Sequence, residues 1–437
     1  MNTVIHNSES QTNSLSFVLT KDGIRELAMR LGAADAGVVS IDDPEIEAEK
    51  INILKTFPFP KTLISFVVKM NRENVRSPAR SVANRDFHLT IDETDHIGRK
   101  LAQILEEKGI KAASPTTGFP MEAEQWPGRI WVISHKPIAV AAGLGKMGIH
   151  RNVIHPKFGN FILLGTVVTD LTLTEHSKPI DFNPCFECKL CVAECPTGAI
   201  SPDGNFNFSA CYTHNYREFM GGFGDWVEQI TNSNNSIDYH KSFTDKETVS
   251  IWQSLSFGPQ YKAAYCVAVC PAGEDIIRSY QEDKKSFLKE IVNPLQDKLE
   301  TIYVTKNSDA LSFINRRYPN KKIKYVGSGL RPDSIDNFLS NMPHIFQRGQ
   351  AKGLNATYHF NFTGQERKSV TVKITNQKLH INEDLVGKSN LKVTVDSQLW
   401  IDFLNKKVGL PYLLLTGNLR LWGNPKFLIA FEKCFPN

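Results

Sequence analysis

The chain has 437 residues, enough for about two or three domains. Hydrophobic residues make up 41% and charged residues 22% of it, a balance typical of a globular protein with large cores. The formal net charge is only +5, and no run of Lys or Arg concentrates it, so no DNA partner is expected. No stretch of about 18 apolar residues occurs, so no membrane span is predicted.

The N-terminal residues bear on the compartment. The start, MNTVIHNSESQTNS, is polar and lacks both the apolar core of a signal peptide and a twin-arginine pair. We predict a disordered lead over residues 1–16 and a cytoplasmic protein. Its eight cysteines are then expected to be reduced and available as metal ligands.

Residues 17–180 alternate helix and strand patterns. Ile24, Leu27 and Leu31 fall on one helical face, and residues 91–110 form a second amphipathic pattern. Four apolar runs predict buried strands, at residues 36–41, 62–70, 129–134 and 160–168. This alternation predicts an α/β first domain in an α+β multidomain protein.

A different texture follows the first domain. Residues 181–295 hold seven of the eight cysteines and contain a polar stretch, ITNSNNSID, that predicts a surface insert. Residues 296–337 are expected to be a linker. From residue 338 to residue 437 the runs TYHFNF, SVTVKI, KLHI and LKVTV have the period of two of half-buried strands. With a helix at Ser397–Leu404 and a last strand pair within 418–431, they predict an α+β domain.

The stretch CFECKLCVAECP carries Cys185, Cys188, Cys191 and Cys195 in the spacing C-x2-C-x2-C-x3-C-P. Bacterial ferredoxins hold [4Fe-4S] clusters with this run, and its fourth cysteine binds the neighbouring cluster. Zinc is the chemical rival, but zinc sites usually use two separated pairs of ligands. The sequence therefore predicts a ferredoxin-like iron–sulfur domain over residues 181–295.

A second cysteine motif lies downstream and is incomplete. The stretch AAYCVAVCPAG supplies Cys266 and Cys270, but it has Ala263 where a complete motif has another cysteine. Cys211 lies upstream and can replace that cysteine in part. We predict that one cluster takes the first three cysteines of the run together with Cys270. The second cluster then takes Cys195, Cys211 and Cys266.

The second cluster lacks one thiolate, and three alternatives stay open. The site can hold a three-iron cluster, or it can be degenerate and hold none. Its fourth ligand can also be His214, three residues after Cys211, or another non-cysteine group. Cys434 is expected to be a packed thiol of the last domain.

Two stretches carry a resemblance to known families. The block HKPIAVAAGLGKMGIHRNVIHPKFGNFILLGTVVTDL (135–171), with the cysteine groups after it, resembles epoxyqueuosine reductases and reductive dehalogenases. RDFH (85–88) also matches the former, and the resemblance covers about residues 20–290. It implies a nitroreductase-like domain that holds cobalamin, to which iron–sulfur clusters pass electrons for a two-electron reduction.

The same resemblance implies cofactor contacts in this block. Its glycines allow tight turns and close approach of the backbone to a bulky ligand, and its polar residues supply hydrogen-bond donors. A turn whose glycines serve packing alone is the alternative, because a glycine pattern is a weak signal. The candidate cofactor contacts are Gly143, Gly145, Gly148, His150, Asn152 and Gly159.

The candidate proton sources include two departures from the epoxyqueuosine reductase pattern. Arg129 stands where those enzymes carry an aspartate proton donor, and His135 where they carry a glutamate. These departures favour another substrate. We predict His135, His88 and Asp86 as proton sources, with Arg129 as an electrostatic stabiliser. Each can instead be structural, and Asp86 can simply pair with Arg85.

The last domain resembles the sterol carrier protein type-two lipid-binding domain. NMPHIFQRGQAKGLNATYHFNFTG, Trp400 and LTGNLRLWGNPKFLIAFEKCF carry the resemblance. It implies an apolar tunnel between a sheet and helices. A cap over the active site or a dimerisation surface is the alternative role.

These observations predict a cobalamin-dependent iron–sulfur oxidoreductase that reduces a small organic or lipid-like substrate. Its electron donor is expected to be a ferredoxin, a flavodoxin or a reductase. Two other functions stay open. One is a ferredoxin-like electron-transfer protein without chemistry of its own, and the other is a lipid-binding or redox-sensing protein.

Overall fold

A computed structural model describes residues 17–127, 130–185 and 187–436. It confirms the predicted α+β multidomain class, with a layered first domain, a helical cysteine-rich region and a C-terminal α+β domain. The lead predicted for residues 1–16 and the candidate stabiliser Arg129 lie outside the described residues. Within these, no helix is both long and apolar enough to cross a bilayer.

The first domain alternates helices with strands as the sequence predicts. In chain order its elements are α1 (Lys21–Arg30), β1 (Asp35–Ser40), α2 (Glu47–Thr56), β2 (Thr62–Lys69), α3 (Arg72–Arg76), α4 (Arg80–Glu106), β3 (Ala112–Ala113), α5 (His135–Ala141), β4 (Lys146–Met147), β5 (Val153–Ile154) and β6 (Ile162–Thr169). Four strands form one antiparallel sheet in the order β1-β2-β6-β3, and β4 pairs with β5.

Both faces of this sheet are covered, which explains the unbroken apolar runs of its central strands. Leu27 of α1 and Leu101 of α4 pack on one face, and Ile138 of α5 packs on the other. Gly165 of β6 faces Phe66 of β2, and a Cβ atom there would lie 2.2 Å from the ring. A glycine is therefore required for the two central strands to pair over that ring.

The prediction of a strand at residues 129–134 is wrong. The described part, residues 130–134, is irregular, with Ile133 buried and Trp131 exposed. Short apolar runs do not distinguish a strand from a loop that packs on the core. This loop forms part of a cavity wall, described below.

The cysteine-rich region is helical. It comprises α6 (Leu190–Glu194), α7 (Phe208–Asn215), α8 (Gly221–Asn232), α9 (Ser236–Ser242), α10 (Asp245–Phe257), α11 (Tyr265–Ala268), α12 (Glu274–Glu282), α13 (Lys284–Phe287) and α14 (Asn293–Gln296), with a π-helical turn at Leu288–Val292. The predicted surface insert corresponds to α8, α9 and α10, whose residues are largely exposed.

The linker expected at residues 296–337 is instead a folded unit. It contains β7 (Thr301–Val304), α15 (Asp309–Arg317) and β8 (Lys322–Tyr325), and the two strands pair in parallel. Ile302 and Ile314 are fully buried in the same cluster as Cys191 and Cys195. Its elements are short and rich in charged residues, and the residues that its apolar side chains contact lie about a hundred residues upstream. The sequence pattern alone therefore does not predict this unit.

The C-terminal domain contains α16 (Ile335–Ile345), β9 (Ala356–Thr363), β10 (Lys368–Thr375), β11 (Lys378–Asn382), β12 (Leu391–Asp396), α17 (Ser397–Leu404), α18 (Leu410–Leu415), β13 (Leu419–Gly423) and α19 (Lys426–Cys434). Its sheet has the order β11-β10-β9-β12-β13. The prediction of a last strand pair within 418–431 is half wrong, because α19 replaces the second strand. Phe427, Phe431 and Cys434 recur at helical spacing and pack on the sheet.

Aromatic rings fill the space between this sheet and its helices. Phe360 of β9 lies 5.6 Å from Trp400 and 5.3 Å from Phe431, measured between ring centroids. Phe338 and Tyr358 extend the same cluster. The tunnel that the resemblance implies is therefore occupied by packed side chains.

Candidate iron–sulfur sites and the adjoining cavity

Four cysteines surround one small cavity. The wall of this cavity includes Cys185, Cys188, Cys191 and Cys270, together with Ile149 and other apolar residues. The Ile149 amide donates a hydrogen bond to Cys185 Sγ over 3.4 Å. The structure thus brings together the four thiols assigned to one cluster, although Cys270 is far from the other three in sequence. We call them the four-thiol group.

The other three cysteines pack together deeper in the same region. Cys195, Cys211 and Cys266 belong to the core beneath β7 and α15, and their thiols are close enough for their charges to interact. The Ala199 amide donates a hydrogen bond to Cys195 Sγ over 3.2 Å. We call these cysteines the three-thiol group.

The protein holds its buried thiols in the neutral form. Burial raises the pKa of Cys266 and of Cys270 to about 12, and it raises the pKa of Cys191 still further. Neighbouring thiols act in the same direction. Binding of iron must therefore displace protons, as is usual for thiolate sites.

The spacing of these ligands differs from that of a single-ion site. Among the residues that the structure describes, no three His, Cys, Asp or Glu side chains stand close enough together to hold one metal ion. The corners of an iron–sulfur cluster spread its ligands wider than a single zinc ion does. Thiols spread around a cavity therefore suit a cluster better than zinc.

His214, a candidate fourth ligand, lies buried on the helix that carries Cys211. Its Nδ1 accepts a hydrogen bond from the Tyr303 amide over 3.3 Å, and burial lowers its pKa to about 4. Its Nε2 has no hydrogen-bond partner in the described part of the chain. Because Nδ1 accepts, the neutral ring carries its hydrogen on Nε2. Nε2 must therefore lose this hydrogen before it can bind iron, and its role as an iron ligand stays a prediction. Ala263, the position of the missing cysteine, is buried beside Tyr265.

A larger cavity of about 480 Å³ adjoins the three-thiol group, a volume within the usual range for small-molecule sites. β6 contributes an apolar wall through Ile162 and Leu164, and Val267, the neighbour of Cys266, contributes another part. The loop at 130–134 and the start of α5 complete one side. This cavity lies between the layered domain and the cysteine-rich helices.

His135 lies in the cavity wall at the start of α5 and is fully engaged. Its Nε2 lies 3.1 Å from the Thr116 carbonyl oxygen, which can only accept, so Nε2 carries the hydrogen. Its Nδ1 then accepts from the Thr166 hydroxyl, 3.0 Å away. Burial lowers the pKa of His135, so the ring is held neutral with its one N–H in use.

Asp86 and His88 lie on α4, outside the cavity wall. Asp86 is buried and accepts hydrogen bonds from the Asn71 amide at 3.0 Å and the Asn74 side chain at 3.2 Å, so it fixes the turn before α3. His88 is half-buried against Gly258, and burial lowers its pKa. The structure does not bring these two residues together with His135.

His150 and Asn160 connect the two cavities. His150 Nδ1 accepts from the Asn152 amide over 3.2 Å, so the neutral ring carries its hydrogen on Nε2. The structure places Asn160 Nδ2 3.0 Å from Nε2. Because two donors cannot bond to each other, we assign the Asn160 amide the flipped orientation, with its oxygen toward the ring. Asn160 also lines the larger cavity and keeps a polar atom without a partner among the described residues. That atom is then an NH2 donor.

Three of the four candidate glycines pack against protein backbone. A Cβ atom at Gly145 would lie 2.4 Å from the Ile154 carbonyl oxygen, and one at Gly159 would lie 2.1 Å from that of Ala272. A Cβ atom at Gly143 would lie 2.6 Å from the Lys178 carbonyl oxygen, whereas one at Gly148 would meet the side chains of Ile154 and His150. Of the candidate cofactor contacts, Asn152 lines the larger cavity and His150 the smaller. Direct cofactor contact by the glycines stays a prediction.

Lys136, which the sequence analysis did not single out, lies between the larger cavity and the three-thiol group. Its side chain is exposed to the cavity and enclosed by protein elsewhere, and this enclosure lowers its pKa. Its Nζ donates to the Arg151 carbonyl oxygen at 2.7 Å and to Asn152 Oδ1 at 3.0 Å. Nothing local in the sequence distinguishes this lysine from a surface lysine.

The C-terminal domain is bonded to the helix that carries Cys211. Gln347 is buried and bonds through its amide to Asn207 at 3.2 Å, to Ser209 at 3.0 Å and to the Asp309 backbone amide at 3.0 Å. Phe208 of the same helix contacts His344. The last domain therefore holds one wall of the three-thiol group.

Family models match two segments of the chain. A 4Fe-4S binding domain matches residues 178–201, and the SCP-2 sterol transfer family matches residues 343–436. These matches confirm the iron–sulfur motif and the likeness of the last domain to sterol carrier proteins.

Epoxyqueuosine reductases are similar to parts of the chain. The enzyme of Bacillus cereus is 22% identical over 224 residues, 46% of this chain and 54% of that enzyme. The enzyme of Synechococcus sp. is 32% identical over 123 residues, 28% of this chain and 33% of that enzyme. The chain thus spans about half, or less, of the curated relatives it matches. The predicted resemblance is confirmed over these segments.

Solved structures of the same two families are also similar. The epoxyqueuosine reductase of Streptococcus thermophilus is 16% identical, with a TM-score of 0.33 over 63% of this chain and 75% of that one. A reductive dehalogenase in complex with 3-bromo-4-hydroxybenzoic acid is 16% identical, with a TM-score of 0.38 over 60% of this chain and 36% of that one. Superpositions at these scores establish no residue correspondences.

Proposed function

We propose that the chain is an iron–sulfur reductase that reduces a small organic substrate at the larger cavity with the help of a corrinoid. The observation that carries the proposal is the contact between this cavity and the three-thiol group, through Val267 and Lys136. Electrons from a low-potential ferredoxin, flavodoxin or reductase enter at the four-thiol group and leave at the cavity. Reduced thiols are a requirement, so a cytoplasmic setting is part of the proposal.

The residues of the cavity fit a corrinoid. Its wall is mostly apolar, as the face of a large ring requires, and Asn160 and Thr117 keep unpartnered polar atoms among the described residues. Such isolated polar groups suit the amide-bearing edge of a corrinoid. The ring is larger than a drug-sized ligand and must extend beyond the enclosed space. When bound, a corrinoid supplies a low-potential metal centre for a two-electron reduction.

Lys136 is the proposed holder of the proton that the reduction consumes. Its ammonium has three donor hydrogens and two acceptors in the described structure, so one N–H remains for the cavity. The N–H of His135 is committed to Thr116, so this residue instead supports the wall. Asp86 and His88 do not line the cavity, and we assign them no catalytic role.

The substrate class follows from where space is left. The interior of the C-terminal domain is occupied by packed rings, so a lipid cannot enter without displacing them. The cavity beside the three-thiol group has free volume and polar wall groups. A small organic molecule is therefore the favoured substrate, and the C-terminal domain serves as a structural support.

The test is the iron and cobalt content of the full chain after anaerobic reconstitution with iron, sulfide and hydroxocobalamin. We expect about seven or eight irons and about one cobalt per chain. A Thr117→Val variant is expected to keep its iron and lose cobalt affinity, because only the cavity changes. Full iron with no cobalt in the wild type overturns the corrinoid reductase and leaves an electron-transfer protein.

A further inference from the structure

Two buried arginines flank the turn between α3 and α4, since Arg76 ends α3 and Arg80 begins α4. The Arg76 side chain is 10% exposed, and Arg80 is 9% exposed. Each keeps two guanidinium nitrogens, Nε and Nη2, buried without a hydrogen-bond partner among the described residues. A buried charge with unpaired donors is costly, so a structure that keeps two of them calls for a compensating anion.

The carboxylates of the described residues do not supply that anion. Arg76 reaches Glu73 through Nη1 at 3.5 Å, and Glu73 is largely exposed. Arg80 donates through Nη1 to the Val75 and Ser77 carbonyl oxygens, both at 3.3 Å. Glu300 acts on Arg80 at longer range, but its oxygens bond to other side chains.

Aromatic rings enclose both guanidinium groups. Arg76 lies 5.3 Å from the Phe161 ring centroid and 5.5 Å from that of Phe287, and Arg80 lies 5.4 Å from that of Tyr265. Rings exclude water and keep the local dielectric low, so each charge acts strongly on its neighbours. Arginine also stays charged at neutral pH in such surroundings.

Cysteines lie within electrostatic range of both arginines. Helix α3 packs against α11, which carries Cys266, and Val75 shares a core cluster with Cys266 and Val267. Arg76 is close enough to Cys270 for their charges to interact, and Arg80 is close enough to Cys266. One arginine thus faces the four-thiol group and the other faces the three-thiol group.

We propose that Arg76 and Arg80 are the counter-charges of the two clusters, Arg76 for the four-thiol group and Arg80 for the three-thiol group, and that each raises the reduction potential of its cluster. The inference rests on the proposed function, since it needs both clusters to form. It adds two positioning residues that neither the cysteine motifs nor the cavity identifies.

The physical reason is the charge of the clusters. A cluster held by thiolates is an anion, and accepting one electron from the donor makes it more negative. A fixed cation nearby stabilises the reduced form more than the oxidised form, and net charge and hydrogen bonding are known to set cluster potentials. The reduction equilibrium therefore shifts toward the reduced cluster.

The test is a redox titration of the reconstituted full chain, followed by electron paramagnetic resonance. Arg76→Gln is expected to lower the equilibrium constant for reduction of the four-thiol cluster at least tenfold. This corresponds to a reduction potential lower by about 60 mV. Arg80→Gln is expected to do the same to the other cluster. A Cys211→Ser variant identifies the four-thiol signal, because it removes a ligand of the three-thiol site alone.

Two kinds of variant serve as controls. Arg72→Gln removes a more exposed charge from α3, the helix of Arg76. It is expected to change the equilibrium constant for reduction of either cluster by less than twofold. Arg76→Lys and Arg80→Lys keep the charge. Each is expected to change the equilibrium constant for reduction of its cluster by less than threefold from the wild-type value. They also decide the question where a glutamine variant fails to fold, because a tenfold shift in a lysine variant contradicts a role for charge.

The outcomes separate this inference from the proposed function. Unchanged potentials in both glutamine variants at full iron content overturn the counter-charge role and leave the reductase proposal intact. A wild-type chain that takes up no iron overturns the reductase proposal itself. A shift of both clusters by one variant contradicts the assignment of one arginine to each group.

Discussion

The cysteine-rich region and the C-terminal domain fill their interiors in opposite ways. Around the cysteines the structure buries thiols, two arginines and a histidine, next to an open cavity, and nitrogens of the arginines and the histidine have no partner among the described residues. In the C-terminal domain, rings such as Phe360 and Trp400 contact one another, and Trp400 Nε1 and the Asn341 amide, which are buried without a partner among the described residues, are uncharged. A buried charge without a partner costs more free energy than a buried neutral group and calls for an explanation, whereas packed rings stabilise. Chemistry is therefore expected in the first region and stability in the second.

The largest expected effect of a single substitution is the loss of a whole cluster. Cys191→Ser removes one of the four thiolates and is expected to abolish the four-thiol cluster, about half of the bound iron. The measurement is iron per chain with the visible absorbance of the clusters. Cys434→Ser is the matched control, since Cys434 is also buried but lies in the C-terminal domain. Equal iron loss in both variants contradicts the division between the regions.

The next effect concerns the aromatic interior. Phe360→Ala is expected to lower the free energy of unfolding by about 3–5 kcal/mol, because Phe360 is fully buried among rings. Chemical denaturation measures it, and iron content is expected to stay unchanged. Phe257→Ala, at a ring that is 64% exposed, serves as the control with a change of about 0.5 kcal/mol or less. Lipid binding with unchanged stability in Phe360→Ala shows that the interior is not filled as described.

A smaller effect is expected where the two regions meet. Gln347→Ala removes the hydrogen-bond partner of Asn207, Ser209 and Asp309. Three lost hydrogen bonds at about 1 kcal/mol each are expected to lower the free energy of unfolding by about 3 kcal/mol. Because Ser209 lies on the helix of Cys211, the three-thiol cluster is also expected to lose iron faster under a chelator. Gln377→Ala, a half-exposed glutamine of the same domain, is the control. Identical chelation rates for all three proteins contradict the role of Gln347 in this wall.

The smallest effect is a pH dependence of the metal-free chain. Burial lowers the pKa of His150 to about 4, against an ordinary value near 6.5. Between these values the unfolded chain binds a proton that the folded chain does not, so stability falls as the pH falls through this window. Because of His150, the free energy of unfolding is expected to fall by about 2 kcal/mol between pH 7 and pH 5. Denaturation of wild type and His150→Gln at both pH values measures it, and equal losses in the two proteins contradict it.

Part of the fold and site is predictable because its signals are local. The helix at Lys21–Arg30 and the strands at Thr62–Lys69 and Ile162–Thr169 follow from periodicity and apolar runs. The [4Fe-4S] motif can be recognised in the sequence because its cysteines all fall within twelve residues. The strand predicted at 129–134 and the second strand within 418–431 fail because short apolar runs fit several structures.

The sequence by itself determined β1, β2 and β6 of the first sheet, the strands of the C-terminal sheet, the cysteine spacing and the presence of a sterol-carrier-like domain, since each depends on neighbours within a few tens of residues. Only the tertiary structure brought Cys270 to the other three thiols and made residues 301–325 a folded unit. It also buried Arg76 and Arg80 beside the thiols. These arrangements depend on contacts between segments far apart in the chain, and such contacts leave no periodicity in the sequence.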